Sequence, residues 1–146
     1  MKKNFCLLFT IFSLVSYAQT AKEEVTDAVK DYVDAFYYGD TSKIHRSISM
    51  SVVKYGYYIP KAKTIYEGEP MSFIEMIDYA AGVSKRGVSA NVEKFPKKIE
   101  VFDVQDQTAS AKLTAWWGTD YLLLARQNNR WMITHVLWQS PPPKIN

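Results

Sequence analysis

Cysteine is almost missing from this sequence: the single one, Cys6, sits six residues from the start. A disulfide framework and a cysteine-based metal or catalytic site are thereby excluded, and stability has to come from packing. Histidine is nearly as scarce. Only His45 and His135 are present, far apart and without metal-ligand spacing, so no metal site is expected. No stretch after the first twenty residues is apolar for long enough to cross a bilayer. Repeats and low-complexity tracts are absent as well.

The one apolar run is at the start. "MKKNFCLLFTIFSLVSYAQ" has Lys2 and Lys3, an apolar stretch from Phe5 to Val15, and small residues at Ser16 and Ala18. This pattern predicts a signal peptide over residues 1–18, cleaved after Ala18, and a periplasmic or secreted protein with no membrane span after cleavage. Removing it takes away Lys2, Lys3 and Cys6. Sixteen basic residues then face 15 acidic ones, and the formal charge falls from +3 to +1. No basic stripe is left to hold nucleic acid.

What the chain has in excess is aromatic residues, 14% of the total, with ten tyrosines and four tryptophans. Such an excess suits a binding pocket, and equally a core filled with large rings. Both readings stay open at this level.

Periodicity places the elements. Thr20 and Glu23 form a capping-box pair ahead of a helix whose buried face is Val25, Ala28, Val29, Tyr32, Val33 and Phe36. Gly39 ends it, and Asp40 caps a short second helix. "VVKYGYYI" (52–59) reads as a strand, with Gly56 marking a bulge or a close approach. "TIYEG" reads as a short partner strand. Ser72 and Glu75 cap a third helix with Phe73, Ile77, Ala80 and Ala81 inward. From Lys98 the period becomes two. Strands are expected over 98–105 and 108–117, from 119 to 127, and over 130–139, with Asn128-Asn129 as a tight turn. "PPPKIN" (141–146) is a proline-rich tail. Helices set apart from antiparallel strands predict one α+β domain over 19–140.

This order, with "DYVDAFYYGD" (31–40), "YEGEPMSF" (66–73) and the closing "RWMITHVLWQS", resembles the nuclear transport factor 2-like superfamily. The likeness is best to an exported bacterial subgroup named for lumazine binding. The resemblance implies a cystatin-like α+β cone: N-terminal helices packed in a strongly bent antiparallel sheet that encloses a pocket, its convex side pairing two copies. One of the adjacent tryptophans Trp116 and Trp117 is then expected to line the cone and the other to lie under a partner or in a second layer.

Ketosteroid isomerases of this superfamily use a tyrosine, a carboxylate base and a protonated acid. Matching Gly39-Asp40 puts the tyrosine at Tyr32 and the base at Gly56, which takes no proton. Counting back from Trp138 puts the acid at Tyr121. Asp120 and His135 are the candidate substitute bases, and strand parity turns both away from the cone. The expected pocket lining is Tyr32, Phe36, Tyr55, Tyr57, Trp117, Tyr121 and Trp138. The reading that results is a homodimeric, exported domain without cofactor or complete catalytic set, which binds an apolar or aromatic small molecule or a partner. Two alternatives stand beside it: an isomerase- or dehydratase-like enzyme built on the pocket tyrosines with Asp120 or His135, and a structural interaction module with a filled cone.

Overall fold

The computed structural model describes residues 4–61 and 63–142, with side chains described from Thr20 onward. The predicted cleavage site, Cys6 and the last four residues of the tail lie outside the described side chains. Helix α1 (Asn4–Tyr38) leads into α2 (Thr41–Ser47) and β1 (Ile48–Tyr58). Then come β2 (Glu67–Pro70), α3 (Phe73–Arg86), a single 3-10 turn at Val92–Lys94, and β3 (Lys98–Val104). Strands β4 (Thr108–Ala115), β5 (Gly118–Gln127) and β6 (Arg130–Gln139) complete the chain.

The six strands form one sheet in the order β2-β1-β6-β5-β4-β3. Strands β3 to β6 run as an antiparallel meander, and β1 joins its β6 edge in parallel. That parallel pair needs a long crossover, and β2 through β5 supply it. Register shifts in the β1–β6, β3–β4 and β5–β6 pairs mark where the ladder is interrupted and the sheet bends. The bent sheet stays unclosed and wraps α1, which packs on β3, β4 and β6 as well as on α2 and α3.

The core is where these surfaces meet. Val25, Val29, Tyr32, Val33 and Phe36 recur at helical spacing along one face of α1 and are buried. Opposite them, Ala109, Ala111, Leu113 and Ala115 alternate along β4 with half-exposed neighbours. Small alanines on the sheet let the helix approach closely, and the larger Leu122, Leu124, Ile133 and Val136 of β5 and β6 fill the remaining space.

Turns follow their chemistry. Asn128 and Asn129 take φ values of 50° and 59°, the left-handed pair that a two-residue hairpin requires. Ser72 and Glu75 form a reciprocal capping box on α3. Three elements depart from the sequence reading. Helix α1 runs straight through Thr20, because the residues before it continue the helix instead of stopping at a cap. Strand β2 forms at Glu67–Pro70, later than "TIYEG". Helix α3 buries Met76 and Val83 with Phe73 and Ala80, while Ile77 and Ala81 stay at its margin.

At the end of α1, Gly39 has φ +75°, and its N–H donates to the Ala35 carbonyl at 2.9 Å. A Cβ there would run into the backbone of Ser84 and Ala80 on α3. Gly39→Ala combines left-handed strain with a backbone clash. It is expected to cost at least about 1–2 kcal/mol, read as a lower midpoint in urea unfolding with an unchanged slope.

Candidate functional site

The site grows from one strand pairing. Asp120 on β5 lies opposite Trp138 on β6, and Tyr121 lies opposite Leu137. The inward side of the sheet therefore carries Asp120 and Trp138, and the outward side carries Tyr121 and Leu137. On β1 the same alternation sends Lys54 and Gly56 inward and Tyr55 and Tyr57 outward. Trp138 lies directly over Gly56, where any Cβ would overlap the indole. The glycine is there to admit the ring.

Behind the cavity is a buried polar chain. The Lys54 ammonium donates to the Tyr32 hydroxyl at 2.9 Å. The Asp120 carboxylate lies beside the Tyr32 hydroxyl on its other side, near enough to push the phenol pKa up. The Trp117 indole N–H donates to both Asp120 oxygens, at 3.2 and 3.1 Å. Asp120 and Tyr32 are wholly buried, and Lys54 is 9% exposed. Burial pushes the Asp120 carboxyl up against the pull of Lys54 and Trp117. Burial also pushes Lys54 down, opposed by Asp120, and raises the Tyr32 phenol well above its ordinary value. Desolvation thus drives acid and amine toward their neutral forms while Coulomb attraction holds them charged.

In front of this chain a cavity of about 200 Å³ opens to solvent. Its wall is Phe36, Met71, Tyr79, Trp116, Trp117 and Trp138, with Lys54 the one cation. The Lys54 Nζ is 5.0 Å from the Phe36 ring centre and 5.3 Å from that of Tyr32, within cation–π range. Phe36 meets Tyr32, Tyr79 and Trp117 edge to face, so the rings brace one another.

The adjacent tryptophans are not on a strand. Ala115 pairs with Gly118, so Trp116 and Trp117 are the two turn residues of the β4–β5 hairpin. Strand parity does not apply to them, and both reach the cavity. Tyr37 fastens this hairpin to α1: its hydroxyl donates to the Pro96 carbonyl at 2.6 Å and accepts the Trp116 N–H at 3.0 Å. The expectation that one tryptophan faces a partner or a second layer is corrected by this turn.

The expected lining residues separate into two groups. Phe36, Trp117 and Trp138 line the cavity, and Tyr32 lies just behind it. Tyr55, Tyr57 and Tyr121 lie on the outer face and are exposed, which corrects their placement. For Tyr121 the slip is one residue: Asp120 takes the inward place. The reading of Asp120 as turned away is therefore corrected too: it is buried and accepts from the Trp117 indole. His135 is exposed on the outer face of β6, its Nδ1 3.1 Å from the Thr134 hydroxyl. The β5–β6 register shift falls at Thr134, upstream of His135, so it leaves the Val136–Trp138 parity intact. Sequence reasoning missed Lys54. Its signal was a lone charge in an apolar strand, two residues before a glycine already placed inward. Among the described residues no cluster of His, Cys, Asp or Glu is placed to hold a metal. No described helix is long and apolar enough to cross a membrane.

Residues 20–139 match the family described as "Putative lumazine-binding". The chain belongs to this family. The family fold is the nuclear transport factor 2-like cone, and solved structures agree. An NTF2-like protein of unknown function from Silicibacter pomeroyi superposes with TM-score 0.60 at 18% identity, over 89% of this chain and 98% of its own. One from Shewanella baltica gives 0.57 at 15% identity, over 84% and 94%. The association domain of the C. elegans kinase CaMKII gives 0.57 at 15%, over 86% and 98%. At these identities the likeness carries the fold alone. Among curated proteins no match is found.

The buried pair sets a pH signature. Asp120 has its folded pKa raised above the ordinary 3.8. Its contribution to stability is complete below that value and is lost as pH rises through the raised one. Asp120→Asn does not titrate. Wild type is expected to lose stability relative to Asp120→Asn as pH climbs from about 3.8. Urea midpoints measured for both proteins across that range check this, and parallel curves would contradict it.

Proposed function

We propose that this chain is an exported, non-enzymatic carrier or sensor domain that holds a flat, mostly apolar small molecule in its cone. The observation that carries this reading is the open cavity with aromatic walls and one buried cation. Five aromatic rings in the wall suit stacking, and Lys54 supplies a single strong donor for an acceptor or anionic oxygen. Size limits the occupant. A cavity of about 200 Å³ exceeds the ~150 Å³ that accepts benzene and falls below the ~300 Å³ of the smallest drug-sized sites. One ring or two fused rings fit. The family description, with its reference to lumazine, a two-ring heterocycle, supports this class.

Export rests on the leader sequence. Cleavage after Ala18 would leave Thr20 and Glu23 near the new end of α1, where their spacing suits a cap.

The tryptophan wall makes binding directly visible. Lumazine and single-ring probes are expected to quench intrinsic fluorescence saturably. Lys54→Met is best made on Asp120→Asn, so that no carboxylate is left buried without its partner. Compared with Asp120→Asn alone, the double variant is expected to bind at least about tenfold more weakly. No saturable quenching by any probe, together with no small molecule released in native mass spectrometry, would overturn the reading.

Pairing of two copies is the second element of this proposal. Val53, Phe102, Leu123 and Leu137 form an apolar outer face, each more than half exposed. A patch of this kind on a sheet calls for a cover. The fold likeness to a kinase association domain favours a second copy. Leu123→Lys with Leu137→Lys is expected to turn a dimer into a folded monomer in light scattering. A wild-type monomer at micromolar concentration would defeat it.

A further inference from the structure

The polar chain behind the cavity goes further than ligand binding requires. A donor for a ligand oxygen could be any exposed lysine at the rim. Here the amine is buried in the wall of an apolar cavity, against two aromatic rings, bonded to a phenol that has a buried carboxylate beside it.

We propose that Lys54 is a covalent carbonyl-binding residue, forming an imine with an aromatic aldehyde or ketone of one or two rings, and that Tyr32 and Asp120 position its protons. This deepens the small-molecule reading and rests on the cone being such a site.

The geometry supplies each requirement. A lysine must be neutral to attack, and an apolar pocket favours the neutral amine. The Lys54 Nζ is 2.9 Å from the Tyr32 hydroxyl, and the Asp120 carboxylate lies beside that hydroxyl. A proton leaves Nζ for the Tyr32 oxygen as the phenol proton passes to Asp120, leaving amine, phenol and carboxylic acid. The nitrogen lone pair then bonds the carbonyl carbon, and the C=O π pair moves onto oxygen. A proton shifts from nitrogen to that oxygen to give the carbinolamine. Asp120 returns its proton through Tyr32 to the hydroxyl, the C–O bond breaks, and water leaves. The nitrogen pair closes the C=N bond. An ammonium and a carbonyl become an iminium and water, with no oxidant or reductant. The iminium keeps the charge that Asp120 compensates.

Trp117 completes the arrangement. Its indole N–H holds both carboxylate oxygens, and the same ring forms part of the cavity wall. The group that covers the substrate also fixes the acid behind it.

Benzaldehyde and its non-carbonyl counterpart benzyl alcohol separate this proposal from simple binding. The wild-type protein is incubated with benzaldehyde and sodium cyanoborohydride, and intact mass and peptide mapping follow the adduct. One equivalent is expected on the Lys54 peptide before surface lysines react, and benzyl alcohol should compete it away. Tyr32→Phe should slow adduct formation by on the order of 10²-fold, far more than it weakens benzyl alcohol binding, a split between rate and affinity that loss of fold does not produce. If benzyl alcohol binds saturably but the label spreads over surface lysines, the imine proposal falls and the binding reading stands. If benzyl alcohol, lumazine and benzaldehyde all fail to bind, both fall. A Tyr32→Phe rate equal to wild type removes the phenol and Asp120 from the proposal.

Discussion

Everything in this cone is arranged round one buried chain, Lys54 to Tyr32 to Asp120. It ties β1, α1 and β5 together at a point where hydrophobic packing alone would give no register. The Tyr32 phenol is held by the Lys54 ammonium on one side and has the Asp120 carboxylate beside it on the other. Putting an amine and a carboxylate out of water is costly, and such a pair is poor evidence for stability. Its place in the fold is therefore better accounted for by the positions it fixes than by stability. In front of the chain, Phe36 meets Tyr79 and Trp117 edge to face, so the rings beside Lys54 hold one another in place.

The scaffold of this site was legible in the sequence, and the site itself only partly. Helical spacing along Val25 to Phe36 and the two-residue period of β4 are strong signals because burial on one face enforces them. Gly39, Asp40 and Ser72 could be read because each solves a local backbone problem that few residues solve. The failures are equally physical. "AWWG" looked like strand because tryptophan favours strands, but pairing of Ala115 with Gly118 makes the tryptophans a turn. Once the hairpin closes there, the inward residue of β5 is Asp120. A count from Trp138 that is one residue off exchanges every inward residue for an outward one. Tyr121 and Asp120 changed places for that reason. Tyr55 and Tyr57 went wrong differently: aromatic character was taken for pocket lining, although Gly56 between them already faced inward.

Lys54 shows what a single sequence hides. Its charge argues for solvent, and its neighbours argue for a strand. Only the closing of β6 over β1, with Trp138 across Gly56, converts that position into the base of a cavity. A charged residue that parity forces inward is informative because its burial costs free energy that something else must offset.

The two faces of the sheet are not independent. Tyr55 and Tyr57 flank Gly56, Tyr121 follows Asp120, and Leu137 precedes Trp138. Each residue of the cavity side has a backbone neighbour on the apolar outer side. A second subunit pressed on that outer face would restrain the same stretches of β1, β5 and β6 that position Lys54, Asp120 and Trp138. Packed sheets transmit small displacements because their interiors have little free volume. Dimerisation and occupancy of the cone would then share one set of strands, and a ligand that orders Trp138 would also order the face on which the partner rests. The coupling would run both ways, since any free energy by which pairing favours binding is returned when binding favours pairing.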